Sequence, residues 1–149
     1  MINKHPIQLQ GIIVKELFLK VYDPERAQEN ELDLPFSFKV GHSKFDVENN
    51  QIAVGVLGRV GLDADELGDD GASERTPFVI KVDLVGQFSV DVSLFPVDKV
   101  EQWAKENAPL ILLPFLREHI YGLASRSGIK EVIVPMFVVP TVTINNTAK

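Results

Sequence analysis

Cysteine is absent from the chain. That single absence removes disulfides, thiolate metal sites and cysteine nucleophiles, and it suits a reducing cytoplasm. Basic residues are in the minority, 15 Lys and Arg against 21 Asp and Glu, for a formal net charge of −6. A nucleic-acid footprint needs clustered cations on one face, so nucleic acid is not an expected partner. Long apolar runs are missing as well. Gln8, Gln10, Gly11, Lys15 and Glu16 break up the N-terminal segment where a signal peptide would need a continuous apolar stretch. No run reaches the roughly 18 apolar residues of a membrane-spanning helix, and the expectation is a cytoplasmic protein without membrane insertion.

Catalytic and metal signatures are scarce too. His5, His42 and His119 are isolated from one another, and none stands at metal-ligand spacing from a second histidine. No nucleophile elbow or Walker loop occurs; "GVLGRVG", Gly55 to Gly61, lies inside a strand pattern, where its glycines mark bends or close packing. Arg117 and Glu118 stand in a neighbourhood of Leu, Ile and Phe, so a helix surface or an ion pair that orients the helix against a neighbouring chain is favoured over acid–base chemistry at Glu118. The chain is expected to be no enzyme, with no cofactor and no metal.

What is present is patterned apolar residue, 45% of the chain, in a length that suits one domain over residues 1–149. From Pro77 to Phe95 every even position is apolar or Gly, and the odd positions carry Lys81, Asp83, Gln87, Ser89, Asp91 and Ser93. Period two over that length predicts a long strand with one face on a core. Ile52, Val54, Val56, Gly58, Val60 and Leu62 repeat the pattern, and "ENNQ" before them predicts a hairpin with a strand running from "PFSFKV" toward Val47. In the first strand, Ile7, Leu9, Ile13, Leu17, Leu19 and Val21 are expected on one face and Ile12, Val14 and Phe18 on the other. The segment "DADELGDDGASERT" reads as an acidic loop, since its oxygens lack calcium-loop spacing.

After Pro96 the period becomes helical. "VDKVEQWAKEN" predicts a short helix with Asp98 as N-cap and Glu101 completing a capping box. Asn107 then caps a second helix with Pro109 in its first turn and Gly128 as its stop, while Pro114 predicts a kink or an irregular first turn. Its broad apolar side is expected to comprise Leu113, Leu116, Ile120, Tyr121, Leu123 and Ala124. "EVIVPMFVVPTVTI", interrupted by Pro135 and Pro140, suits an edge strand or extended segment. Four antiparallel strands followed by helices give an α+β fold, a four-stranded antiparallel sheet with helices packed on one side. Trp103, Phe115, Met136 and Phe137 add apolar side chains beyond what a closed core of this kind needs.

These residues bring out a resemblance. "NAPLILLPFLREHIYGLASRSGIKEVIVP", Asn107 to Pro135, resembles the hallmark of the SecB protein-export chaperone family, with Pro109, Leu113, Pro114, Phe115, Arg117 and Glu118 in matching places. "FSVD" at Phe88 to Asp91 and "IQLQGIIVKELFLK" at the first strand also resemble the family. The resemblance implies a SecB-like fold and an ATP-independent holdase that binds unfolded or preprotein chains, assembled as a homotetramer, a dimer of dimers. It implies a client groove at Trp103, Leu112, Phe115, Leu116, Val134, Met136 and Phe137, and an oligomer interface at Leu113, Arg117, Ile120 and Tyr121. Docking of the SecA motor would fall at Glu16 and Lys20, where Lys20 reverses an expected acid and like-charge repulsion would weaken docking. Two alternatives accompany export: service to a dedicated client such as the antitoxin of a toxin–antitoxin system, and a non-chaperone scaffold of the same fold.

Overall fold

The computed structural model describes residues 2–29, 34–61, 76–129, 132 and 134. Four strands, β1 (Ile7–Val21), β2 (Phe36–His42), β3 (Gln51–Val60) and β4 (Phe78–Val90), precede two helices, α1 (Val100–Glu106) and α2 (Ala108–Arg126). The strands form one antiparallel sheet in the order β1-β4-β3-β2. Sequential hairpins would place β1 beside β2. Instead β1 pairs with β4, and among the described residues β1 and β2 are the two edges.

β3 and β4 behave as their period demands. Ile52, Val54, Val56 and Val60 pair on one face with Phe88, Gly86, Leu84 and Ile80, and these side chains are buried. That face carries the helices, because α2 meets β4, β3 and β1 while α1 meets β2 and β3. Two glycines set how closely α2 approaches. A side-chain carbon at Gly86 would stand 2.7 Å from Leu112 Cδ2, and one at Gly58 2.7 Å from Leu116 Cδ2. Each leucine therefore occupies the space a β-carbon would take, and both are fully buried.

β1 departs from strict alternation. Its register against β4 slips between Leu9 and Gly11 and again between Val14 and Glu16. Each slip is a bulge that inserts one residue and exchanges the faces. Ile12 and Val14 consequently oppose Gly86 and Leu84 on the helix side, and Ile13 opposes Val85 on the other. The expected division, with Ile13 on the face of Leu9 and Leu17 and with Ile12 and Val14 on the other, is corrected on all three residues. Phe18 does lie on the outer face, opposite Lys81.

Other boundaries differ for local reasons. β4 ends at Val90, because Asp91 turns the chain: its carboxylate accepts from the N–H of Ser93 at 3.0 Å and its carbonyl from the N–H of Phe95 at 3.0 Å. Val92 and Leu94 continue the apolar alternation but are exposed. β2 stops at His42, short of Val47, and Asp46 organises the connection by accepting from the N–H groups of Glu48 and Asn49. Val97–Lys99 form a single 3-10 turn ahead of α1, and neither helix has a side-chain cap bond, so neither the Asp98 capping box nor the Asn107 cap forms.

α2 runs unbroken through Pro114. Pro114 and Leu110, whose carbonyl loses its usual donor there, both lie on the exposed side, where water can replace the missing bond. The helix stops as expected at Gly128, which has φ +76°. Gly128 N–H donates to the Ser125 carbonyl (3.4 Å) and Ile129 N–H to the Ala124 carbonyl (3.1 Å), a Schellman ending. The acidic loop, Met136, Phe137 and nearly all of "EVIVPMFVVPTVTI" lie outside the described residues.

Candidate functional site

Two apolar surfaces stay uncovered among the described residues. The first is the free edge of β1. Its outer face presents Ile13, 66% exposed, and Phe18; its helix face presents Val14 and Leu17, also exposed at the edge. Lys15 and Glu16 stand between the two apolar triplets Ile12–Val14 and Leu17–Leu19. A 15-residue edge carrying large apolar side chains and unpaired backbone groups invites another strand.

The second is the outward side of α2, where Leu110, Ile111, Pro114, Phe115, Glu118 and Tyr121 are exposed. The opposite side, Leu112, Leu113, Leu116, Ile120 and Ala124, is buried. A helix apolar all round is normally covered all round. Arg117 is half-buried between the two sides, and its Nε is buried with no hydrogen-bond partner. Such an orphaned donor costs about 1–3 kcal/mol until a partner arrives.

The residues expected to act together divide between these surfaces and the core. Of the groove set, Phe115 is exposed, whereas Leu112 and Leu116 are buried in the glycine slots of the sheet. Trp103 is buried on α1, with its ring edge-on to Phe88 at 5.2 Å between centroids. Val134 is buried, and its N–H donates to Tyr121 Oη at 3.2 Å. Of the interface set, Tyr121 is exposed and Arg117 half-buried, but Leu113 and Ile120 are buried within the chain because they sit on the sheet-facing side of α2. Glu16 and Lys20 share the outer face of the sheet, opposite Asp83 and Val79, and Lys20 Nζ lies 5.6 Å from the Tyr22 ring centroid.

Reasoning from the sequence did not single out Ile13, Val14, Leu17, Leu110 or Ile111. The available signal was a first strand apolar on both faces, together with apolar positions all around α2. Among the described residues no cluster of three or more His, Asp or Glu is placed to hold a metal, and no helix is long and apolar enough to cross a membrane.

Four antiparallel strands in the order β1-β4-β3-β2, with the helices on one side, make this a SecB-like α+β fold. The SecB-like chaperone Rv1957 of Mycobacterium tuberculosis, solved in complex with a ChAD peptide from the antitoxin HigA1, superposes with a TM-score of 0.64 over 91% of this chain and 94% of that one, at 11% identity. A protein of unknown function from Streptococcus agalactiae gives a TM-score of 0.44 over 88% of this chain and 97% of that one, at 14% identity. No protein-family model and no curated protein matches the sequence.

Proposed function

We propose that this chain is an ATP-independent holdase of the cytoplasm, assembled as a dimer of dimers, that keeps extended non-native chains on apolar surface. The observation that carries the reading is the exposure of Ile13, Val14, Leu17 and Phe18 on a free sheet edge together with Leu110, Ile111 and Phe115 on a helix of a SecB-like fold. Fully covering an exposed side chain of this kind is worth about 1.5–3 kcal/mol, and these, already partly covered, contribute a fraction of that each. A few of them, repeated over several subunits, suffice for useful client affinity.

The first level of assembly follows from β1 itself. "IIVKELFL", Ile12 to Leu19, is symmetric in chemical class about its centre. Antiparallel pairing of two β1 strands about a two-fold axis there sets Lys15 against Glu16 of the second copy. It also sets Val14 against Leu17, Ile13 against Phe18 and Ile12 against Leu19. The bulge between Val14 and Glu16 makes each apolar pair share a face: Ile12, Val14, Leu17 and Leu19 lie on the helix side, Ile13 and Phe18 on the outer side. The outward side of α2, with the orphaned Arg117 Nε, supports the second level, while Ile13 and Phe18, left open on the outer face of the joined sheet, stay available to the client.

Among clients, a dedicated partner such as an antitoxin segment is supported by the Rv1957 complex. Export through SecA is the companion reading, and Lys20 on the outer sheet face counts against it. Native mass measured with and without an unfolded client tests the proposal. A tetramer that suppresses client aggregation without nucleotide is expected; a monomer with no effect on the client overturns it. A tetramer that neither binds apolar dye nor delays aggregation would instead identify a scaffold protein, and capture by SecA would identify export.

A further inference from the structure

Trp103 is the one tryptophan of the chain, only 5% exposed. Phe88 meets it edge-on from beneath the helix, with the rings 78° apart. From the N-terminal side His5 lies against it, with ring centroids 6.2 Å apart and planes tilted by 30°. His5 belongs to a short arm ahead of β1 in which Ile2, Asn3, Lys4 and His5 itself are exposed. Its fastening is local: Ile7 N–H donates to His5 Nδ1 at 3.0 Å, and Gln8 Nε2 donates to the His5 carbonyl at 2.9 Å. At Pro6 the chain is tied to the body, its carbonyl accepting from Asp91 N–H at 2.8 Å, and from Ile7 onward it pairs with β4.

We infer that the arm is a built-in occupant of an aromatic site formed by Trp103 and Phe88, and that this site takes an aromatic or large aliphatic side chain of an extended client once His5 swings away about Pro6. The inference rests on the holdase reading. Imidazole is a weak occupant, because it is a small polar ring and His5 stays exposed while lying against the indole. The bonds that hold it link residues only two or three apart, the Gln8 bond exposed and the Ile7 bond half-buried, and local bonds of this kind open at less cost than the body of the sheet. A Phe or Leu side chain covers more of the indole and gains accordingly. The arm then acts by competition: apparent client affinity is the intrinsic affinity scaled by the fraction of molecules with the arm displaced.

The competition predicts opposite effects from two substitutions at His5. The test uses the full chain, as wild type, His5→Ala and His5→Phe, with a fluorescein-labelled peptide rich in Phe and Leu and free of Trp. His5→Ala is expected to bind the peptide roughly two- to tenfold more tightly, the range an aromatic contact spans. Acrylamide should quench its Trp103 more readily until peptide saturates the site. His5→Phe, a better occupant, is expected to bind the peptide more weakly than wild type. Damage to the fold cannot produce both signs, and His5→Phe against wild type decides the matter should His5→Ala prove unstable. Equal affinity for all three forms, or peptide binding that leaves Trp103 emission and quenching unchanged, overturns the arm while leaving the holdase reading standing. Failure of every form to bind overturns both.

Discussion

A side-chain carbon placed on Gly58 of β3 would lie 2.7 Å from Cδ2 of Leu116, with Cδ1 and Cγ at 3.2 Å. Leu116 is fully buried, so it cannot turn away without disturbing its neighbours. Gly58→Ala is expected to destabilise the fold by about 1–3 kcal/mol, the usual cost of overpacking. Because the clash disappears when Leu116 is truncated, Gly58→Ala with Leu116→Ala should be less destabilised than the sum of the two single changes. Denaturant unfolding of the four proteins in this cycle measures the coupling; strict additivity would mean that α2 does not rest in this slot.

Gly61 closes β3 with φ +86°, its N–H donates to the Pro35 carbonyl at 2.8 Å, and an added β-carbon would run into the Phe78 carbonyl. Gly61→Ala therefore combines left-handed strain with a backbone collision, at a cost of about 1–3 kcal/mol or more. Thermal unfolding reads it, and Gly122→Ala, where an added carbon meets open space, is the contrasting change with little or no loss.

The β1 edge makes a charge-swap prediction. Lys15→Glu alone, or Glu16→Lys alone, places like charges together across a two-fold β1 contact and should lower self-association. The double exchange of Lys15→Glu with Glu16→Lys restores opposite charges and should recover it, with a stronger salt dependence in each single variant. Sedimentation at low and moderate ionic strength distinguishes these outcomes, and equal masses for all four forms would exclude pairing in this register.

Tyr121 Oη holds the Val134 N–H at 3.2 Å. Tyr121→Phe removes the acceptor but keeps the ring, so the loss should be about 0.5–1.5 kcal/mol and confined to the segment after α2. Faster amide exchange at Val134, with exchange in β3 and β4 unchanged, is the expected signature.

Asp46 has its carboxyl held below the ordinary carboxylate value of 3.8, first by the Asn49 side chain and then by the Asn49 backbone N–H, with desolvation opposing and the Glu48 backbone N–H adding to the lowering. A depressed folded-state pKa means that the stabilisation is present above 3.8 and disappears as pH falls through the lower folded value. The turn between β2 and β3 should loosen only in that acidic window. The Asn49 side-chain amide resonance, followed on acidification, should move with this titration, and Asp46→Ala should abolish the movement.

Much of the architecture could be read from residue order. The strict period of two across β3 and β4 predicts their inward faces, since successive side chains of a strand have no choice but to alternate. Gly128 predicts the end of α2 because an αL position after a helix favours a residue without a β-carbon. The candidate site was less legible. Phe115 and Tyr121 emerge as exposed, but Leu112, Leu113, Leu116 and Ile120, equally apolar and on the same helix, go to the core. Composition cannot separate two apolar sides of one helix; the slots over Gly86 and Gly58 do. β4 likewise looked longer than it is, since Val92 and Leu94 keep the alternation after Asp91 has already turned the chain.

What residue order alone determined is a four-stranded α+β chain with no cysteine chemistry, a regular two-faced pair of central strands and a long helix with a defined stop. Tertiary structure decided which surfaces remain open. The two bulges in β1 exist only in its pairing with β4, and they move Ile13 outward while drawing Ile12 and Val14 to the helix side. The exposure of the β1 edge follows from strand order, in which β4 takes one side of β1 and nothing among the described residues takes the other. A face, an edge and an uncovered ring are properties of neighbours, and neighbours distant in sequence are assigned only when the chain folds.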